Sequence, residues 1–271
     1  MPDFTELKQK HRKTWASGDY EQIARGIRAV ADHVVRSARV RAGERVLDVA
    51  CGTGNTALAA RARGAEVTGL DLTPELLAVA RRREAAEGLS GINWEEGDAE
   101  NLPFEDGSFD VVVSSCGLMF APDRQRVAAE VARVTRRGGR VAIQAWTPGG
   151  GVGRMFQVVS KYVPPPSGAP SPFGWGDEGE VRSLLGPSFT DYRFEHYDCP
   201  EYADTPEELA ELFLGQYGPT NRAYHALLER GGGEAEALRH DLTELYRGYV
   251  TPGDGKVRWG REYLITLANR C

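Results

Sequence analysis

Val46-Leu47-Asp48-Val49-Ala50-Cys51-Gly52-Thr53-Gly54-Asn55 is an apolar strand that runs into a glycine-rich turn opening a helix. Lacking a Cβ, the two glycines let backbone N–H groups approach a ligand closely at the start of that helix. Gly52 to Ala57 also fits the G-x-G-x-x-G/A spacing of a dinucleotide turn. Asp48 weighs against a dinucleotide. A carboxylate near the end of the first strand repels a pyrophosphate and suits a ligand with an ammonium group.

On either side of this turn, short apolar runs alternate with helical stretches. Residues 45–50, 66–70, 92–96, 109–115 and 140–146 read as strands. Residues 56–63, 74–88 and 123–137 read as the helices between them, with Pro74 suited to a first turn. The alternation predicts an α/β fold with a parallel sheet covered on both faces. Two more acids close successive strands, Asp71 in Gly69-Leu70-Asp71-Leu72 and Asp98 in Glu96-Gly97-Asp98-Ala99. Asp71, somewhat under about 20 residues past the glycine turn, can accept hydrogen bonds from both hydroxyls of a ribose, or cap the helix behind it. Asp98 can accept from the exocyclic amine of a base, or serve as an ordinary turn residue. The carboxyl ends of strands in an open α/β sheet gather at one crevice, so Asp48, Asp71 and Asp98 form a single constellation.

Composition narrows the classes further. The 271 residues carry 33 Lys and Arg against 39 Asp and Glu, a net charge of −6, which is the wrong sign for a dedicated nucleic-acid binder. Hydrophobic residues at 41% and charged residues at 27% exclude a fully disordered chain. Cys51, Cys116, Cys199 and Cys271 are scattered without a C-x-x-C pair, so neither a zinc ribbon nor another metal site is expected. The polar start, Met1 to Lys10, does not resemble a secretory signal, and no apolar run approaches the ~18 residues of a membrane span. The expectation is a cytoplasmic protein with no membrane or nucleic-acid partner. Its oligomeric state is left open.

Val46 to Thr56, Gly69 to Leu72, Gly97 to Leu102 and Phe109 to Asp123 resemble the successive motifs of class I S-adenosylmethionine-dependent methyltransferases. Gly97-Asp98-Ala99-Glu100-Asn101-Leu102-Pro103-Phe104, followed by Phe109-Asp110-Val111-Val112-Val113-Ser114-Ser115, is similar to the branch holding the ubiquinone and menaquinone enzymes. The resemblance implies a doubly wound, Rossmann-like, seven-stranded mixed sheet with S-adenosyl-L-methionine as cofactor. It implies that Gly52 and Gly54 flank the methionine part, with Asp48 near its amino group, directly or through water. Asp71 would hold the ribose and Leu72 lie against the adenine. Asp98 would take the adenine amine and the Ala99 N–H a ring nitrogen, with Ser115 beside the sulfonium. Ala50 and Tyr20 complete the expected cofactor set. The quinone enzymes usually carry a histidine where this chain has Met119-Phe120, which weighs against a quinone ring as acceptor.

Outside the motifs, residues 1–40 read as an N-terminal helical cap, with Ile23, Ile27, Val30 and Val34 on one face and a break at Gly18-Asp19. Residues 41–271 read as one methyltransferase domain. Within it, 147–177 carries Gly149-Gly150-Gly151 and Pro164-Pro165-Pro166 and reads as a lid-like loop in which Phe173 and Trp175 contact the acceptor. A short helix over 178–185, strands over 189–197 and 262–268, and a helical insertion over 204–255 follow. No catalytic triad is visible. His196 and His225 are the histidines best placed in the variable part to act as a base, and the aromatic residues there suit a small, largely apolar or aromatic acceptor. Two other readings compete: a nicotinamide-dependent oxidoreductase, which gives Asp98 no use, and a non-catalytic protein that binds S-adenosylmethionine.

Overall fold

Five short apolar runs become the parallel core of one sheet in the computed structural model, which describes residues 4–16, 20–166 and 169–271. They are β1 (Arg45–Val49), β2 (Glu66–Asp71), β3 (Asn93–Glu96), β4 (Phe109–Ser115) and β5 (Thr135–Trp146). Val46, Leu47, Val111, Val112, Val113, Val141 and Ala142 are fully buried, as near-continuous apolar strands covered on both faces must be. Two later strands, β6 (Phe189–Asp198) and β9 (Glu262–Arg270), complete seven in the order β3-β2-β1-β4-β5-β9-β6. β9 runs antiparallel to both neighbours, so the sheet is mixed and Rossmann-like, as the resemblance implies. The order reverses between β1 and β4, and ligands bind such sheets in the crevice at that switch point.

The helices between the strands are α4 (Asn55–Arg61), α5 (Pro74–Ala86) and α6 (Arg124–Val134). Ahead of them lie α1 (Thr5–Trp15), α2 (Tyr20–Gly26) and α3 (Arg28–Ser37). Ile23, Ile27, Val30 and Val34 are all buried, so the apolar face read from the sequence is the one packed on the sheet. The expected break at Gly18-Asp19 lies outside the described residues. After β6 come α9 (Pro206–Gln216), α10 (Gly218–Arg230) and α11 (Glu234–Arg247). The insertion reaches back to the N-terminus: a Cβ on Gly218 would lie 2.5 Å from the Thr14 carbonyl oxygen, so α10 begins against the end of α1.

Three expectations need correction. The stretch 147–177 is not a loop, since α7 (Gly151–Tyr162) fills its first half and packs on α11. Its glycines serve close approach: a Cβ on Gly151 would meet the Gly260 carbonyl oxygen at 2.2 Å. Phe173 and Trp175 are 8% and 0% exposed in a short turn packed on the end of β5, so they belong to the core. The helix expected to reach Arg137 stops at Val134, and β5 begins five residues early, at Thr135. There Arg136 is drawn out to Asp110, 2.5 Å away, and Gly139 lies too close to the Asp110 carbonyl oxygen for a Cβ. A small second sheet went unread, β7 (Glu201–Ala203) against β8 (Val257–Trp259), flanking the insertion. α8 (Glu178–Leu185) lies where the sequence places it.

Candidate active site

The strand ends at the switch point carry backbone that ordinary residues rarely adopt. Ala50, just after β1, has φ +55°, and Cys116, just after β4, has φ +62°. The two turns touch: a Cβ on Gly117 would lie 2.2 Å from the Ala50 carbonyl oxygen, so only glycine fits there. Strained backbone of this kind persists where the surroundings over-determine it, and it concentrates at ligand sites. Ala50, Cys51, Gly52, Thr53, Asn55 and Thr56 from the first turn, with Ser115, Cys116 and Gly117 from the second, line one cleft.

Asp71 ties this floor together. Its carboxylate accepts from the Gly52 N–H at 2.7 Å and from the Thr73 N–H at 2.8 Å, joining the glycine turn to the start of α5. Burial pushes its carboxyl up, and these backbone donors oppose the shift. Leu72 and Thr73 line the cleft beside it. Ser115 donates to Gln144 Oε1 at 2.8 Å, and the Cys116 thiol approaches the same oxygen at 3.1 Å. Burial pushes that thiol up to about 12, so it stays neutral.

At the far end Asp98 and Ala99 line the cleft, as expected. Asp98 already has a partner: Lys8 of α1 donates to its Oδ2 at 2.6 Å and also pairs with Glu100. Burial pulls the Lys8 ammonium down, but the hydrogen bonds and charges of Asp98 and Glu100 outweigh it and hold it raised. Arg12 adds a bridge to Glu96 at 3.1 Å. Lys8, His11, Arg12 and Trp15 recur at helical spacing, and all four face the cleft. The roof of the cleft is therefore α1. Tyr20 closes the cleft over the glycine turn, since a Cβ on Gly52 would stand 3.8 Å from its ring. Burial keeps the Tyr20 hydroxyl protonated.

Four expected residues are elsewhere. Asp48 lies beneath the turn, 1% exposed and absent from the cleft wall; its Oδ2 accepts from the Ala57 N–H at 2.9 Å and so holds the first turn of α4. Burial pushes its carboxyl well up. Gly54 is also outside the wall, with φ +86° and no room for a Cβ, which would lie 2.6 Å from the Trp94 ring. His196 pairs with Glu178 at 2.9 Å on the outer face of β6, and His225 is exposed on α10. Neither reaches the cleft. The histidine that does is His11, whose ring burial holds below its ordinary value of 6.5 against a backbone hydrogen bond to Phe120. Asn55 was missed too. Its Nδ2 donates to the Ala24 carbonyl at 2.7 Å, while its Oδ1 is buried without a partner.

A family model described as a methyltransferase domain matches residues 47–143. Over 270 residues the chain is 41% identical to an uncharacterized protein of Mycobacterium tuberculosis, spanning 96% of this chain and 94% of the relative. It is 33% identical over 187 residues to the demethylmenaquinone methyltransferase of Geobacillus kaustophilus, spanning 67% of this chain and 74% of that enzyme. The chain belongs to the class I S-adenosylmethionine-dependent methyltransferases. The fold of the YcgJ protein of Bacillus subtilis matches this methyltransferase with a TM-score of 0.62 at 18% identity, over 89% of this chain and 97% of that one.

The cleft of this methyltransferase fits the cofactor of its family. Beside the glycine turn two buried acceptors, Asp48 Oδ1 and Asn55 Oδ1, have no partner, and Asn55 lines the wall there, which suits a ligand with an ammonium group. Asp71 lies in the wall at the middle of the cleft, and Leu72 and Leu76 offer apolar surface next to it. Among the described residues no cluster of side chains could hold a metal, and no helix is long and apolar enough to cross a membrane.

Proposed function

We propose that this enzyme transfers a methyl group from S-adenosylmethionine to a small, largely apolar or aromatic acceptor. When bound, the cofactor supplies an electrophilic methyl group on a sulfonium. Asp71 would accept from the ribose hydroxyls with the lone pairs that Gly52 and Thr73 leave free. Asn55 would accept from the ammonium group, and Asp48 would act indirectly by fixing the helix that carries Asn55. Asp98 and the Ala99 N–H would take the base edge, which requires Lys8 to share or release Asp98. Ser115, Ala50 and Tyr20 would surround the reacting end.

The observation that carries the acceptor class is the apolar and aromatic surface behind the cleft. It shares Trp15, Tyr20, Ile27, Cys116 and Phe120 with the cleft and adds Ile23, Trp146, Val152, Met155, Phe213 and Tyr217. These walls favour an apolar or aromatic body held in line with the methyl group, and such positioning supplies on the order of 7–11 kcal/mol. Met119-Phe120 stand where the quinone enzymes usually carry a histidine; Phe120 lines both walls and Met119 Sδ accepts from the Trp146 backbone N–H, which speaks against a quinone ring.

Calorimetry provides the test. S-adenosylhomocysteine should bind with a micromolar-range constant, roughly −8 kcal/mol, and far more tightly than NADH. Tighter NADH binding would return the chain to the oxidoreductase reading. If S-adenosylmethionine binds but no acceptor in a broad aromatic panel gives any S-adenosylhomocysteine, the non-catalytic reading is favoured.

A further inference from the structure

Asp98 has one oxygen left to offer a ligand, and Lys8 already stands on it. The turn after β3 holds the residue in place: Asp98 Oδ1 accepts from the Glu100 N–H at 2.9 Å, and the Asp98 carbonyl accepts from the Asn101 N–H at 2.9 Å. Oδ2 remains for other donors, and Lys8 Nζ donates to it at 2.6 Å. Lys8 also pairs with Glu100 Oε2, and its two partners differ. The Glu100 side chain is 8% exposed, and its Oε1 accepts from the Asp123 N–H at 2.7 Å. A carboxylate so placed is strongly destabilised by losing its counter-ion. The Asp98 side chain is 31% exposed and lines the cleft, where another donor can replace the ammonium at Oδ2. The bond to Asp98 is therefore the easier of the two to exchange. α1 does not depend on it alone, because Arg12 bridges to Glu96 and Trp15 packs on Phe120 and Tyr217. The exchange can move a side chain and leave the helix where it is.

We propose that Lys8 is a built-in competitor at the base-edge subsite: it holds Asp98 Oδ2 until the exocyclic amine of the cofactor takes that oxygen, and it then stays on Glu100 while α1 remains in place. The inference rests on the methyltransferase reading and on Asp98 taking the base edge. Giving up the ion pair subtracts from cofactor affinity, so removing the cation strengthens binding. Lys8 also sets how sharply the site tells one purine from another. Asp98 alone repels a base that carries an oxygen where adenine carries its amine, whereas Lys8 can donate to that oxygen.

Calorimetry on the full chain tests this with S-adenosylhomocysteine and its 6-oxo analogue, S-inosylhomocysteine. Lys8→Met should bind S-adenosylhomocysteine about two- to fivefold more tightly than the wild type, the worth of one partly exposed ion pair. It should bind S-inosylhomocysteine no more tightly than the wild type, so the preference for the amine increases. Wild-type affinity for S-adenosylhomocysteine should rise as salt goes from about 0.1 M to about 1 M, because screening weakens the competing pair, and the rise should be smaller in Lys8→Met. Lys8→Arg, which keeps the cation, should return both affinities to the wild-type values. If Lys8→Met binds S-adenosylhomocysteine no more tightly than the wild type, or tightens both ligands alike, Lys8 is only a clip for α1 and the inference is overturned. Failure of S-adenosylhomocysteine to bind either protein would instead overturn the methyltransferase reading.

Discussion

Two segments near the same end of the sheet, α1 and residues 147–177, exchange the roles that their compositions suggest. The glycine- and proline-rich segment looks like a lid, yet it buries Met155 and Trp175 completely and packs on the end of β5. α1 is polar and has no buried residue, yet it roofs the cleft, tied down by Lys8 to Asp98 and Glu100 and by Arg12 to Glu96. Glycine content reports how closely backbones approach, as at Gly151, and does not report mobility. A helix with no fully buried residue, held by partly exposed ion pairs and by Trp15 against Tyr20, Phe120 and Tyr217, belongs to the low-stability end of a structure, where lids are drawn from.

The largest effect should come from the segment 147–177. Trp175→Ala empties a fully buried site and should cost about 3–5 kcal/mol of global stability, read by urea denaturation. Acceptor preference should not change. A variant as stable as the wild type with altered acceptor choice would restore 147–177 as the lid.

Cutting the roof should cost much less. Lys8→Met should lower global stability by at most about 1 kcal/mol, since the pair with Asp98 is partly exposed. Hydrogen exchange over residues 5–15 should nevertheless accelerate. In the wild type the same acceleration should appear as salt rises from about 0.1 M to about 1 M, where the Debye length falls from ~10 Å to ~3 Å. Exchange over α7 should respond to neither change. Equal responses in the two helices would remove the distinction between them.

The smallest effect is a pH dependence at His11. Its folded-state pKa is lowered, so the open or unfolded chain takes up the proton more readily. Stability at the roof is complete above the ordinary value of 6.5 and falls as the pH drops from 6.5 toward the lowered value. An NMR titration should place the His11 midpoint below 6.5, and His11→Gln should flatten the loss on this acid limb. A midpoint at or above 6.5 would mean the ring is not buried against Phe120.

The contrast also marks what the sequence makes legible. The strands around the glycine turn are continuous apolar runs, and Asp71, Asp98, Ala99 and Ser115 end strands that converge at the switch point, so strand ends alone locate them. Asp48 ends a strand as well, but its neighbour is the α4 backbone, and whether a carboxylate faces the ligand or the helix beneath depends on a half-turn that spacing does not resolve. α7 had a readable signal: Val152, Met155, Phe156 and Val159 stand at helical spacing, obscured by the glycines around them. α1 had one too, in Lys8, His11, Arg12 and Trp15, but a face made of charge and aromatic surface is invisible to a hydrophobic pattern. The burial of Arg261 is not legible in the sequence, because its partners Cys199, Glu201 and Gly26 are brought together only by the tertiary fold.

The most direct measurement is hydrogen exchange with and without saturating S-adenosylhomocysteine. A class I methyltransferase with the cleft described here should gain protection at residues 50–56, 71–76 and 97–101, and over α1 as the roof closes on the ligand. Residues 151–162 and 172–176 should be unchanged. Protection confined to 147–177, or no protection at the glycine turn and Asp71, would contradict both the cofactor site and the identity of its roof.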